Sequence, residues 1–301
     1  MTLVEVAFLI LFWGWVVSAI LFLRNTVLPR IPIPELAAAA TPLPLETVHF
    51  EATDGLRLEG WLARADPLRP WLILCHGMGS NRADLLDIAE GLHAAGFNLL
   101  LFDFRGHGGS DGRTTSFGWT EQRDLEGALA FLGGQPEIPA APYGVYGTSM
   151  GGVVALLVAA HDERIGAVAV DSPYANLGVS IGRHLRLMYR LLPSIPFHGF
   201  VLSAYRLRFG SWPHDVSPER AAKRLSPRAL LMIQGGHDHR MPLEDAQRMF
   251  DGAGQPKELW VVDGADHLEG FALDPSVYRD RLSQFFHMNL STVLSLQTST
   301  E

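Results

Sequence analysis

The sequence predicts an α/β fold in which a mostly parallel sheet carries helices on both faces. Short, continuous apolar runs of strand length recur along the chain, as at Trp71 to Leu74 and Ala229 to Ile233, and longer amphipathic patterns of helical period alternate with them. With 301 residues, 48% of them hydrophobic, the chain is also long enough to bury one large core. Continuous apolar strands that alternate with helices are typical of parallel sheets covered on both faces.

The charge balance and the cysteine content exclude some functions. The formal net charge of −8 leaves the chain without the basic surface that nucleic-acid binding needs, so no nucleic-acid partner is expected. Cys75 is the only cysteine, so the chain cannot form an internal disulfide. This cysteine usage is consistent with a reducing compartment.

The first predicted element is a transmembrane helix over residues 3–23. The run LVEVAFLILFWGWVVSAILFL contains one charged residue, Glu5. About 21 residues at ~1.5 Å each span roughly 31 Å, close to the thickness of the bilayer core. A cleaved signal peptide is less favoured, because no Lys or Arg precedes the run and no small-residue cleavage site follows it closely. A buried core helix is the other alternative.

The residues that follow this run predict an orientation and a linker. Arg24 and Arg30 follow the predicted span and no basic residue precedes it, so the positive-inside rule predicts a single-pass membrane protein with its main domain in the cytoplasm. The prolines in residues 24–45 predict an extended linker. Residues 46–290 are predicted to form the main domain, and residues 291–301 a polar tail.

The main domain is predicted to begin with a β-hairpin and to continue as alternating strands and helices. Val48 and Phe50 alternate with polar residues before the tight-turn signal Asp54-Gly55. The later strands are predicted at residues 71–74, 98–102, 145–147, 167–170, 229–233 and 259–262. The helices between them are predicted near residues 84–95, 120–132, 150–160, 243–250 and 277–287.

One stretch, YGVYGTSMGGVV at residues 143–154, predicts a strand, a sharp turn and a helix with Ser149 at the turn. A serine hydroxyl is a poor nucleophile at neutral pH, so a reactive serine must be held where a base can take its proton. Gly147 and Gly151 relieve the crowding that a strained turn creates, and the first N–H groups of the helix point to where an oxyanion would form.

Polar residues follow the predicted parallel strands, at the edge of the sheet where reactive groups gather. A nucleophilic serine needs an imidazole as base, and the imidazole needs a carboxylate that fixes its tautomer. In chain order, Ser149, Asp238 and His267 follow three of the strands and supply these groups. Asp171 at a neighbouring strand end is an alternative acid, and His237 or His239 is an alternative base.

Six ordered motifs carry a resemblance to a known family. They are HGMGSN, DFRGHGGSDG, GTSMGG, DVSPERAAKRLS, GGHDHRMP and GADH. In this order they resemble the α/β-hydrolases, in particular the esterase and serine-aminopeptidase-like branch, over residues 48–287. The resemblance implies the α/β-hydrolase fold, with Ser149 as nucleophile, Asp238 as the orienting acid and His267 as base. It also implies that the backbone N–H groups of Met78 and Met150 form the oxyanion hole.

The resemblance further implies a serine hydrolase that cleaves carboxylic esters through an acyl-enzyme, without a cofactor or a metal. An aminopeptidase or amidase with the same triad is an alternative, as is a non-catalytic binding protein on this fold. We expect His76 to hold a loop by side-chain hydrogen bonds. We expect Asp103 and Arg105 to brace a glycine-rich loop by ion pairing.

Residues 174–216 are too many for a simple crossover and predict a helical cap. Two segments, 181–192 and 197–209, combine an apolar face with arginines. Basic amphipathic helices favour lipid interfaces, so we expect a small-molecule ester or a lipid with an apolar acyl group as substrate. The sequence leaves the oligomeric state open.

Overall fold

The computed structural model describes residues 2–26, 31–34, 37–67, 69–138, 142–188 and 194–297. Its centre is an eight-stranded sheet. The strands are β1 Leu45–Glu51, β2 Arg57–Ala63, β3 Trp71–Cys75, β4 Asn98–Phe102, β5 Tyr143–Thr148, β6 Ile165–Asp171, β7 Ala229–Gly235 and β8 Lys257–Val262.

The strand order in the sheet is β1-β2-β4-β3-β5-β6-β7-β8. The β1–β2 hairpin and the β2–β4 pair are antiparallel. All the pairs from β4 to β8 are parallel. The predicted hairpin and the predicted mostly parallel sheet are therefore confirmed, and the carboxyl ends of β3 to β8 share one edge.

Eleven helices accompany the sheet in the described part of the chain. They are α1 Leu3–Thr26, α2 Ala37–Ala40, α3 Leu86–Ala94, α4 Gln122–Gly133, α5 Met150–Ala159, α6 Leu177–Met188, α7 Ser194–Phe209, α8 Pro218–Ala222, α9 Leu243–Gly252, α10 Gly270–Leu273 and α11 Pro275–Gln297. Helix α11 continues into the predicted tail, of which residues 298–301 lie outside the described residues. Residues 27–30 and 35–36 of the predicted linker also lie outside them.

Successive side chains of each strand point to opposite faces of the sheet, so they belong to two different apolar cores. In β3, Ile73 belongs to the core that includes side chains of α4, α5 and α9. Its neighbours Leu72 and Leu74 belong to the core that includes α3 and α11. This double burial is why the strands read as continuous apolar runs rather than as alternating patterns.

Helices α6 and α7 lie in the region predicted to form a cap, and their apolar side chains share a small buried core with Val153 of α5. Polar contacts join these helices to other parts of the chain. Arg183 pairs with Asp245 of α9 at 2.7 Å. The hydroxyl of Tyr205 donates to the carbonyl of Ser116 at 2.9 Å. Residues 189–193 of the predicted cap lie outside the described residues.

The N-terminal helix α1 lies against α7. Trp15 Nε1 donates to Ser203 Oγ at 3.2 Å. Among the residues that the structure describes, no helix combines the length and the apolar character that crossing a bilayer requires. The predicted transmembrane anchor over residues 3–23 is therefore not supported, and neither is the single-pass membrane localisation that rested on it. An apolar helical pattern does not by itself distinguish lipid from protein as the surroundings of a helix, and here one side of α1 contacts α7.

Candidate active site

The turn between β5 and α5 holds Ser149 in a strained conformation. Its backbone has φ 48° and ψ −114°, and a positive φ is unusual for a residue with a side chain. The chain passes so close to its neighbours here that a Cβ atom on Gly151 would lie 2.1 Å from the carbonyl oxygen of Cys75, and one on Gly147 would lie 2.4 Å from the carbonyl carbon of Gly151. Both positions therefore require glycine, as the sequence pattern predicts.

Three side chains from three strand ends meet at this turn. His267 Nε2 lies 3.2 Å from Ser149 Oγ. On the other side of the ring, His267 Nδ1 lies 2.7 Å from Asp238 Oδ2. The side chains of His267 and Asp238 are 10% and 0% exposed, so the pair is largely shielded from water. The structure thus brings together the serine, imidazole and carboxylate that the sequence selects.

The loop after β7 orients Asp238. Its Oδ1 accepts hydrogen bonds from the backbone N–H groups of Arg240 and Met241, at 2.8 and 2.7 Å. Burial raises the pKa of this carboxyl, but the hydrogen bonds from His267 and from the Met241 N–H outweigh burial and hold the pKa below its ordinary value. Asp238 is therefore a carboxylate at neutral pH, and its Oδ2 accepts from Gln234 Nε2 at 3.2 Å as well as from the imidazole.

Close contact between two loops sets the distance from Asp238 to His267. A Cβ atom on Gly235, at the end of β7, would lie 2.7 Å from the carbonyl oxygen of Ala265. The N–H of His237 donates to that same carbonyl at 2.8 Å. Because β7 and β8 are parallel neighbours, this contact joins the loop that carries the acid to the loop that carries the imidazole.

Asp171, the alternative acid, faces a different set of groups. Its Oδ1 accepts from Ser172 Oγ at 2.8 Å and its Oδ2 from the Tyr278 hydroxyl at 2.7 Å. Tyr146 extends this chain, with its hydroxyl 2.8 Å from that of Tyr278. Burial raises the pKa of Asp171 above its ordinary value. Asp171 also contributes through its backbone, because its carbonyl accepts from the N–H of Ser149 at 2.8 Å.

The other candidate residues of the β7 and β8 loops hold the loops rather than Ser149. His239, an alternative base, donates its backbone N–H to Asp266 Oδ1 at 3.3 Å. His237 donates its backbone N–H to the Ala265 carbonyl. Within the described part of the chain, no group of three or more His, Cys, Asp or Glu side chains is arranged to hold a metal ion.

Met78 and Met150, whose backbone N–H groups are the expected oxyanion donors, belong to two segments next to Ser149. Met150 is the first residue of α5, whose first N–H groups have no partner within the helix and carry the positive end of its dipole. Met78 lies in the loop after β3, next to Gly77. A Cβ atom on Gly77 would lie 3.6 Å from Ser149 Cβ, so this loop passes directly beside the candidate nucleophile.

Ion pairs with other segments brace the loop after β4. Asp103 pairs with Arg82. Arg105 pairs with Asp124 at 2.6 Å and with Asp54 at 2.9 Å. The expectation that Asp103 and Arg105 brace this loop by ion pairing is confirmed, while their partners come from other segments.

Sequence reasoning missed Glu121, which is fully buried just before α4. Its carboxylate accepts from Thr115 Oγ1 at 2.8 Å, from the Ser116 N–H at 2.8 Å and from the Gly118 N–H at 2.9 Å. Thr115 Oγ1 also lies 3.5 Å from the sulfur of Met150. The signal in the sequence is a carboxylate that stands shortly after Thr115, Ser116 and Gly118 and directly before α4.

Comparisons with known proteins indicate the family of the chain. The family model for "Serine aminopeptidase, S33" matches residues 66–209. YqkD of Bacillus subtilis is 30% identical over 226 residues, which cover 73% of this chain and 72% of YqkD. Polyketide transferase grgF of Penicillium sp. is 27% identical over 270 residues, covering 76% of this chain and 92% of that protein.

Solved structures agree as well. The Pyrococcus furiosus esterase Pf2001 superposes with a TM-score of 0.73 at 26% identity, over 88% of this chain and 98% of that one. The sheet order, the strained serine turn and these likenesses converge on one assignment. The chain is a member of the α/β-hydrolase superfamily.

Proposed function

We propose that this protein is a serine hydrolase that cleaves carboxylic esters through an acyl-enzyme intermediate. One observation carries the proposal: Ser149, His267 and Asp238 form a continuous chain of contacts, 3.2 and 2.7 Å long, at a strained strand–helix turn. A serine needs this arrangement to act as a nucleophile, and a structural serine in a turn does not. The likeness to the Pf2001 esterase supports the proposal.

The geometry suggests the order of the steps. Asp238 Oδ2 accepts a hydrogen bond from the Nδ1–H of His267, so the proton stays on Nδ1 and the Nε2 lone pair is directed at Ser149 Oγ. Nε2 takes the hydroxyl proton as Oγ attacks the ester carbonyl carbon, and the carbonyl oxygen becomes an oxyanion. The imidazolium then gives its proton to the departing alcohol. Water, activated by the same nitrogen, attacks the acyl-enzyme and releases the acid.

The backbone N–H groups of Met78 and Met150 are the proposed donors to the oxyanion. They come from two different segments, one from the loop after β3, which passes beside Ser149, and the other from the first turn of α5. Donors held in place before the reaction stabilise the charge as it develops and need no reorganisation, which makes this the largest single contribution in many acyl-transfer enzymes.

An apolar acyl group fits the residues around the site. Met78, next to the candidate nucleophile, exposes 45% of its surface. Several partly buried apolar side chains pack where the cap meets the sheet edge, among them Phe117, Ile181, Leu185 and Met241. Methionine and aromatic side chains of this kind form tolerant apolar pockets.

Cleavage of an amide at a free amino terminus is the second candidate, because the matching family model is described as a serine aminopeptidase. Such a substrate needs a carboxylate near the site to pair with its ammonium group. Within residues 174–216 the only Asp or Glu in the sequence is Asp215, and its Oδ2 already accepts from Ser211 Oγ at 2.9 Å and from the Trp212 N–H at 3.0 Å. This favours an ester over a peptide.

The test is labelling of the purified full-length chain with a fluorescent fluorophosphonate, beside Ser149→Ala. Ser172→Ala is the matched control, because Ser172 is also buried at a strand end with a positive φ of 52° but contacts Asp171 instead of His267. We expect labelling of the wild type and of the control and none of Ser149→Ala. A folded wild type that resists labelling would move the assignment to a non-catalytic binding protein.

The substrate class is tested in parallel. We expect turnover of p-nitrophenyl esters, with a maximum at one acyl length between acetate and palmitate. We expect little turnover of aminoacyl p-nitroanilides. Faster cleavage of the anilides than of the esters would support the aminopeptidase alternative.

A further inference from the structure

Two buried imidazoles hold the loop that carries the Met78 N–H. His76 Nε2 accepts from the N–H of Phe104 at 3.0 Å, and its Nδ1 donates to the carbonyl of Gly77 at 2.7 Å. His107 Nε2 accepts from the N–H of Gly79 at 3.2 Å. The residues on both sides of Met78 are thus tied to histidines, and the expectation that His76 holds a loop is confirmed.

The contact of His107 requires one tautomer. Its Nδ1 lies 2.9 Å from the carbonyl oxygen of Arg105, and a carbonyl can only accept, so Nδ1 carries the proton. Nε2 is then an acceptor and suits the N–H of Gly79. Burial lowers the pKa of His107, which keeps the ring neutral at physiological pH.

The ring of His107 is itself fixed in place. It is 3% exposed, and its centroid lies 5.0 Å from that of the His76 ring. The backbone around it turns sharply, with positive φ values at Gly106 and Gly108. Asp103 Oδ2 accepts from the N–H of Gly109 at 2.8 Å and closes this turn. The acceptor offered to Gly79 is therefore rigid.

Packing does not hold the far side of the Met78 loop. Gly79 has a φ of 71°, and a Cβ atom placed on it would meet no atom within 4 Å. The side chain of Met78 is 45% exposed. The Gly79 N–H belongs to the Met78–Gly79 peptide, which meets the peptide that carries the Met78 N–H at the Met78 Cα. Because neighbouring atoms do not confine Gly79, the direction of the Met78–Gly79 peptide depends on the hydrogen bond that Gly79 donates to His107.

We infer that His107 is a positioning residue for ester hydrolysis, which aims the Met78 N–H at the oxyanion by accepting the adjacent Gly79 N–H. This inference rests on the proposed function. Removal of an oxyanion-hole donor costs about 10² to 10³ in kcat. Loss of the His107 acceptor frees the Met78–Gly79 peptide, while His76 still holds the Gly77 carbonyl of the peptide that carries the Met78 N–H. We therefore expect a smaller loss, about 10- to 50-fold in kcat.

Two amide variants separate the acceptor from the remainder of the ring. His107→Asn retains an N–H donor near the Nδ1 position, within reach of the Arg105 carbonyl, but lacks an atom at the Nε2 position. His107→Gln can place its amide oxygen near the Nε2 position, where it can accept from Gly79. If His107 positions the Met78 N–H, His107→Gln should keep most of the activity and His107→Asn should lose it.

The readouts are kcat and KM for a p-nitrophenyl ester and the inhibition constant of a trifluoromethyl ketone, whose adduct with Ser149 carries an oxyanion. We expect His107→Asn to lower kcat and to weaken inhibition by a similar factor, with KM nearly unchanged. His107→Gln is expected to retain most of the wild-type kcat and most of the wild-type affinity for the trifluoromethyl ketone. Near-wild-type kcat and inhibition in folded His107→Asn would overturn the inference, and so would equal losses in the two variants.

A measurement on the wild type covers the case in which His107→Asn does not fold. The ¹⁵N shifts of the His107 ring distinguish the two neutral tautomers. We expect the proton on Nδ1, and the opposite tautomer would overturn the inference. Failure of the proposed function is a different result, because the wild type would then resist the fluorophosphonate. A reactive wild type with unaffected variants contradicts the role of His107 alone.

Discussion

Replacement of Asp238 by asparagine tests the proposed tautomer of His267. In the wild type, Oδ1 accepts from two backbone N–H groups and Oδ2 accepts from His267 Nδ1 at 2.7 Å. The asparagine oxygen is expected to retain the two backbone bonds, so the NH₂ group takes the place of Oδ2. That group donates, and His267 must then accept through Nδ1 and carry its proton on Nε2, facing Ser149.

An imidazole with its proton on Nε2 cannot take the serine proton. We therefore expect Asp238→Asn to lower kcat by about 10³ to 10⁴, as the same change does in other serine triads. This equals about 4 to 5.4 kcal/mol of transition-state stabilisation at ~1.36 kcal/mol per factor of ten. Thermal stability should change little, by about 1 kcal/mol, because the two backbone hydrogen bonds remain.

The assay is the steady-state hydrolysis of a p-nitrophenyl ester, with Asp263→Asn as the matched control. Asp263 is an exposed carboxylate on the loop that carries His267, so its replacement removes the same charge at the same end of the sheet. We expect wild-type kcat in this control. Should folded Asp238→Asn retain kcat within about tenfold of the wild type, the tautomer argument is wrong.

Three further perturbations have definite expected outcomes. Gly151→Ala should lower the free energy of unfolding by more than about 2 kcal/mol, because the added Cβ atom would lie 2.1 Å from a backbone oxygen. Gly199→Ala is the control and should not lower it, because Gly199 is a helical residue with open space around it. Hydrogen bonding to Arg105 holds the pKa of Asp54 at about 2 against an ordinary 3.8. The destabilisation of Asp54→Asn in urea, about 1 kcal/mol or less at pH 7, should therefore fade as the pH falls from about 4 to 2. Arg183→Met breaks the 2.7 Å ion pair between α6 and Asp245 of α9. It should therefore raise KM for long-chain esters and speed proteolysis of the proposed cap. An unchanged KM would contradict a role for this ion pair in holding the proposed cap.

The Asp54 prediction follows from the sign of its pKa shift. A carboxyl whose pKa is lower in the folded protein stabilises the fold while it is ionised, above its ordinary pKa. The contribution disappears as the pH falls through the folded pKa. A constant difference between wild type and Asp54→Asn from pH 7 to pH 2 would show that the ion pairs with Arg105 and Arg123 contribute nothing.

Much of the fold could be predicted because local pattern and buried environment agree in this chain. Strands such as β4 and β7 are buried on both faces, so their sequences are continuously apolar. The site followed from the same logic, since parallel strands end at one edge and the chain order of Ser149, Asp238 and His267 matches three of those ends.

The features that sequence reasoning missed depend on contacts between distant segments. Arg82 pairs with Asp103 across 21 positions in sequence, and the N–H of Gly79 finds the ring of His107 across 28. Which arginine reaches which carboxylate is decided by the paths of the loops, and no periodic pattern encodes those paths. The place of α1 beside the cap is a tertiary contact of the same kind, and hydropathy alone predicted a membrane span instead.

The central claim is that Ser149 carries the acyl group during turnover. Rapid quenching of the reaction of the full-length protein with a p-nitrophenyl ester, followed by peptide mass spectrometry, tests it most directly. We predict an initial burst of nitrophenol and an acyl group on the peptide that contains Ser149. Turnover with the acyl group on another residue, or with no acyl-enzyme in a reaction that shows a burst, would contradict the account.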